Sequence, residues 1–524
     1  MRELDRETMT INSDEEAVEA MMQMAEERKL DIDEPLARYL PEFSIRSRFP
    51  DTGPVTLHHI LSHHSGMPSG YMRGQFRMQP MTQAEILAGL KDQCLTAPPG
   101  EVYTRSDLAY GLLGCVIERV AECDIETYLR KTLLDPLGMR STVFVVRDEL
   151  RPAMARAFDF ETGEPRMQYP TRVPASEGLW SSVDDLAQYV CMLFAEGGVD
   201  GKVLLKPETV ASTLRPHNEG LPCDNGYRIG LDWNLSWPGL EYLGRVAWQD
   251  GFRNGYRSLI ALSVDHKVGI IILTNCGGSK TTRRIGCNAL KMTVALKTGI
   301  REPAGPQPKG PKSVPARYLD KLPGYYSSPV GYTQVERVGD SLRAHAFGYV
   351  ADLLPLDEHG RFAFQYRLGG LIPIPLPFLK DYSIQFYEAA DQLFMMFYDG
   401  PLPHIGQRTA PTPIPAPWLA RLGLYEVTNR GDDLEYIETA ELGQEGAFLT
   451  IAIKISLIDD RTPSALVVPI SDNDAYVAGI GPSQGDRVYV TEVDGETRLH
   501  YAGYRFRPVV APGDSQLIHS QCSL

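Results

Sequence analysis

Pro98-Pro99-Gly100-Glu101-Val102-Tyr103-Thr104-Arg105-Ser106-Asp107-Leu108-Ala109-Tyr110-Gly111-Leu112-Leu113-Gly114 is the stretch on which the fold assignment turns. A Pro-Gly-Glu element and a short spacer lead to the triplet Arg105-Ser106-Asp107, which stands directly before a helix. Tyr110 and Leu112-Leu113-Gly114 read as the buried part of that helix. Five further stretches accompany it in fixed order. They are EERKLDIDEPLARYLPEF (26–43), LHHILSHHSGMP (57–68), PLGMRST (136–142), ASEGLWSSVDDLAQYVCMLFAEGG (175–198), and 251–275 with GYRSLIAL and VGIIILTN.

Together these segments resemble the serine β-lactamase and penicillin-binding-protein family, in particular its class C-type esterases and D-aminopeptidases. The family's second motif reads Pro-Gly-Glu, a spacer, then Tyr-Ser-Asn before a helix, and here Arg105-Ser106-Asp107 stands in its place. The resemblance covers about the first 300 residues. It implies an α+β fold: a β-lactamase/transpeptidase-like α/β domain with a helical insert.

A chain of 524 residues is too long for one compact core and predicts two or three domains. Hydrophobic residues at 43% with 23% charged residues are those of a globular protein. A net charge of −15 argues against nucleic acid and anionic membrane surfaces as partners, because both demand clustered positive charge. The start, MRELDRETMTINSDEEAV, lacks the basic and apolar regions of a secretory signal, and no apolar run reaches bilayer length, so a cytoplasmic location is expected. Eight cysteines without CxxC pairs read as reduced, mostly buried thiols. No cofactor or metal is expected.

Two proline-rich stretches, 302–316 and 410–417, divide the chain into a β-lactamase-like domain (1–301) and two later units (317–409 and 418–512). The later units open alike, with YLDKLPGYY from Tyr318 and WLARLGLYE from Trp418, and each continues in short alternating strands. They predict two small antiparallel β-barrels, an arrangement that resembles D-aminopeptidases. The run 368–379, LGGLIPIPLPFL, is interrupted by three prolines and reads as a packed loop or edge.

The family's reaction needs Ser-x-x-Lys at a helix start, so that the amine can take the hydroxyl proton. Ungapped alignment backwards from Lys29 puts Ile11 at the nucleophile position and Asp14 at the lysine position. Ser13, followed by Glu16, fits a helix capping box instead. Where the family has a proton-shuttling tyrosine stands Arg105, whose guanidinium stays charged at neutral pH. Where it has His or Lys, a small residue and Gly stands Gln249-Asp250-Gly251, of which only Gly251, which lets a substrate approach the strand, is kept. His58, His59, His63 and His64 match the family's LLSH-x-SG segment, a loop packing beneath the site, with Leu57, Ile60 and Leu61 as its apolar face. About ten residues precede the nucleophile position where the family has a helix and two strands. A truncated start is therefore expected, with an uncovered sheet edge that favours self-association.

Three readings stay open. In the first, Arg105, Gln249 and Gly251 bind a small ligand with an acyl or carbonyl group while Asp107 and Asp250 act as acid or base, without a covalent intermediate. In the second the charges solvate an unused cleft of a binding or scaffold protein. In the third another serine, Ser13 or Ser106, keeps a hydrolase alive. The residues place the first ahead of the second, because ionisable rather than inert groups replaced the usual ones. An ion pair from Arg105 to Asp107 or Asp250 is the structural alternative.

Overall fold

The computed structural model describes residues 9–509, apart from 12–13, 70–72, 75–76, 80, 147–149, 161, 167, 169–174, 176–177, 277–278, 304–312, 330, 347, 358–359, 369–371, 375–381, 400, 457–461 and 482. The capping role read for Ser13 lies outside these residues.

In the first domain, helix α1 (Asp14–Glu26) buries Ala17, Val18, Met21 and Met24, the apolar positions of its sequence pattern. Each large side chain so buried contributes about 1.5–3 kcal/mol of transfer free energy. Helix α1 packs beside α2 (Leu57–Leu61), whose Leu57, Ile60 and Leu61 are fully buried, and α3 (Asp107–Ala121). Ser106 caps α3 through the Ala109 N–H. Ser182 likewise caps α4 (Val183–Phe194) through the Asp185 N–H, as the sequence predicts.

A short antiparallel pair, β1 (Met9–Ile11) and β2 (Leu179–Ser181), stands beside a three-stranded antiparallel sheet that forms the other layer: β3 (Val246–Arg253), β4 (Tyr256–Ser263) and β5 (Val268–Thr274), in that order. Its register sets Gln249 opposite Ile260 and Gly251 opposite Ser258. Helix α5 (Ser279–Thr298) covers one face, with Leu290 and Val294 against Leu259 and Ala261. Strand β5 is an edge, with no partner on its outer side among the described residues.

Beyond it stand two closed antiparallel barrels. Eight strands between Gly324 and Thr409 close by pairing Gly324–Ser328 with Leu402–Thr409, and Ile372–Pro373 adds an edge beside Leu368. Eight more, from Gly423 to Pro508, close by pairing Gly423–Val427 with Tyr504–Pro508. The similar openings of the two units have a shared geometry. Tyr326 donates to the Leu322 carbonyl at 2.7 Å and Tyr425 to the Arg421 carbonyl at 2.6 Å, each four residues back.

Both barrels grip the segment that leads to Arg105. Phe394, Met396 and Ile405 of the first pack on Ala97 and Val102. In the second, the Ser483 N–H donates to Ser69 Oγ, and Gly485 (φ +77°) lies so close that a Cβ there would stand 2.7 Å from Thr96. No described helix is long and apolar enough to cross a membrane.

Candidate functional site

Arg105 ends the gripped segment at the start of α3, and α1 begins beside it. Arg105 Nη2 donates to Asp14 Oδ2 at 2.5 Å and its Nε to Asp107 Oδ1 at 3.2 Å. Asp14 is 1% exposed and Arg105 26%. Burial alone would lower the arginine's pKa, but Asp14 and then Asp107 outweigh it and hold the group well above its ordinary value. The two residues expected from the sequence at the family's lysine and tyrosine positions are thus joined by an ion pair.

The third-motif residues are committed separately. Gln249 donates from Nε2 to the Asp232 carbonyl at 3.1 Å and accepts from Asn234 Nδ2 at 2.9 Å, so both ends of its amide are used. Asp250 accepts from Arg283 Nε on α5 at 2.8 Å, and not from Arg105. Gln249, Asp250 and Gly251 line a cavity of about 10 Å³ with Glu15 and Ser258, room for about one water molecule. The five expected residues therefore divide: Arg105 and Asp107 form one cluster with Asp14, and Gln249, Asp250 and Gly251 line another. Tyr103, pushed up by burial, lies within the electrostatic reach of both Arg105 and Asp250.

Beneath these groups lies a buried polar layer. Three of the four histidines pair with acids or with another histidine. His63 Nε2 bonds Asp232 Oδ1 at 2.8 Å, His64 Nε2 bonds Asp224 Oδ2 at 2.8 Å, and His58 Nε2 bonds His217 Nδ1. Burial holds the His63 pKa low although Asp232 opposes it. Gly66 (φ +63°) sits where a Cβ would fall 2.0 Å from the Ala97 carbonyl oxygen, which explains the Ser-Gly of this loop. No group of three or more acids, histidines or cysteines able to hold a metal occurs among the described residues.

Helix α1 adds what sequence reasoning missed. Glu15, Glu16 and Glu19 are buried together. Burial raises all three: Glu15 well above the carboxylate range with Asp232 adding, Glu16 to about 8, and Glu19 to about 7 against a hydrogen bond from Tyr189. An acidic first turn reads as capping or solvated surface, and only the packed sheet reveals the burial. The Asp14 to Arg105 pairing did leave a signal, since the two positions that interact in the family carry opposite charges.

The Beta-lactamase family model matches residues 17–286, more than half of the chain. The chain belongs to the β-lactamase family. A relative named beta-lactamase-like 1 from Homo sapiens is 26% identical over 395 residues, covering 72% of this chain and 75% of that protein. Esterase EstB of Burkholderia gladioli is 28% identical over 179 residues, covering 31% of this chain and 44% of the esterase. Among solved structures, SurE with D-Leu aligns over 77% of this chain and 88% of its own at a TM-score of 0.53 and 20% identity, a likeness of fold. Within the β-lactamase family this chain therefore keeps the scaffold.

Proposed function

We propose that this chain is a β-lactamase-family protein that forms no acyl-enzyme and acts as a binding or scaffold protein. The observation that carries the reading is the Asp14 to Arg105 ion pair, which puts a carboxylate and a permanently charged guanidinium where proton-transfer groups would have to stand. Ser106 does not replace the nucleophile, because it is 2% exposed, donates to the Pro68 carbonyl at 2.5 Å and caps α3. The charge pairing supports this reading over the one preferred from the residues, since Arg105 faces Asp14 and Asp107 while Asp250 faces Arg283.

A second reading rests on Glu15. Its carboxyl, whose pKa burial holds well above the ordinary value, shares the small cavity with Asp250. If that cavity opens to a small acyl or carbonyl ligand, the pair supplies acid–base chemistry without covalent attachment. Intact-mass measurement after incubation with a fluorophosphonate and with a β-lactam tests the main reading, with no adduct expected. An adduct on any serine overturns it. Turnover of an acyl substrate lost in both Glu15→Gln and Asp250→Asn, at unchanged thermal stability, favours the second reading.

A further inference from the structure

A cavity of about 320 Å³ lies where residues 73–93 of the first domain meet the second barrel. Its charged lining is Arg73, Arg487 and Arg505, with Asp92 as the one carboxylate among the lining residues. Asp92 is 64% exposed and its side chain already pairs with Arg46. Three guanidiniums converging in a chain of net charge −15 are not a reflection of average composition.

Two of the arginines are fixed in place. Arg73 donates from Nε to the Asn429 carbonyl at 2.9 Å. Arg487 donates to Asp474 at 2.6 Å and to the Asp92 carbonyl at 3.3 Å, lies 4.1 Å from the Tyr489 ring centre, and is 14% exposed. Arg505 is held by its backbone, with the N–H on Asn429 Oδ1 and the carbonyl accepting from Thr428, and its exposed guanidinium makes no ion pair among the described residues. His500 reports the field inside. It stacks on Tyr489 at 4.3 Å and bonds Thr491, and its pKa is held down to about 4 by burial, then by Arg505 and Arg487.

We propose that this seam is a binding site for a small, multiply charged phosphate-type anion. Preorganised guanidiniums match the geometry of phosphate oxygens and lose little side-chain entropy on binding it. The volume of about 320 Å³ suits a pyrophosphate or a compact phosphomonoester. Because Arg73 belongs to the first domain and Arg487 and Arg505 to the barrel, the bound anion ties the two together. The site is independent of any chemistry at Arg105 or Asp250.

Inorganic pyrophosphate is the probe, titrated calorimetrically into the full chain at ionic strength matched with potassium chloride. Saturable binding at one site is expected, weakened at least tenfold by Arg505→Glu and less by Arg505→Gln. Arg505 is exposed, so both variants should melt with the parent. In NMR titrations the His500 imidazole should move upward with pyrophosphate, since an adjacent anion stabilises the imidazolium. Absence of saturable binding, equal affinity in Arg505→Glu, or an unmoved His500 overturns the proposal.

Discussion

Arg105 Nη2 and Asp14 Oδ2 meet at 2.5 Å across the start of two helices, α1 and α3, joining two positions that are 91 residues apart. They carry a locked charge pair, and its removal is a test of what it does. Arg105→Ala removes the ion-pair partner at 2.5 Å from the buried Asp14, and should cost about 2–4 kcal/mol, less than the loss of a fully buried pair because Arg105 is partly exposed. Four of the five tryptophans lie in the first domain, at 180, 233, 237 and 248, so urea unfolding followed by fluorescence reads that domain. The double variant Asp14→Asn/Arg105→Gln should recover much of the loss; equal instability in both would show that charge is not the cause.

The buried acids of α1 make stability fall as pH rises. Their folded pKa values, about 8 for Glu16 and about 7 for Glu19, lie above the ordinary carboxylate value, so the folded state holds protons that the unfolded state has released. That stabilising contribution is complete below the unfolded pKa and is lost as pH climbs through the folded one. Asp486, raised to about 7 by burial, acts in the same sense. The depressed histidines oppose this trend near their unfolded pKa of about 6.5, so the melting temperature should drop most clearly between about pH 7.5 and 8.5. Glu16→Gln should flatten the drop; an unchanged slope would remove Glu16 from the account.

Gly485 governs how the second barrel seats on Thr96. A methyl group there meets Thr96 backbone at 2.7 Å, at a φ of +77° that side chains rarely adopt. Gly485→Ala should cost about 1–3 kcal/mol by overpacking and strain, concentrated at the seam. Limited proteolysis should show earlier cleavage between the domains, and native-like resistance would contradict the close seating.

Strand β5 presents Val-Gly-Ile-Ile-Ile-Leu-Thr at a sheet edge with no charge or proline to blunt it. Self-association through this edge is the expected outcome in light scattering at micromolar concentration. Ile271→Lys should shift the population towards monomer; a parent that is already monomeric at all concentrations refutes the idea.

Much of the architecture was legible in the sequence because it rests on local pattern. The helix after Arg105-Ser106-Asp107, the apolar face of Leu57, Ile60 and Leu61, and the repeated openings at Tyr318 and Trp418 are short-range signals, and the structure carries each of them. The motif substitutions at Asp14, Arg105, Gln249 and Asp250 were equally plain, since a residue's identity needs no fold. What those residues bind to was not plain.

The sequence by itself determined the family scaffold and the two barrels after it. Only the tertiary structure decided that Arg105 belongs to Asp14 and Asp107 while Asp250 belongs to Arg283, and that Glu15, Glu16 and Glu19 are dry. The physical reason is that helix periodicity and capping are set by neighbours a few positions apart. Charge pairing and carboxyl pKa depend instead on which distant groups share a low-dielectric interior, and that is fixed only when α1, α3 and the sheet close on one another.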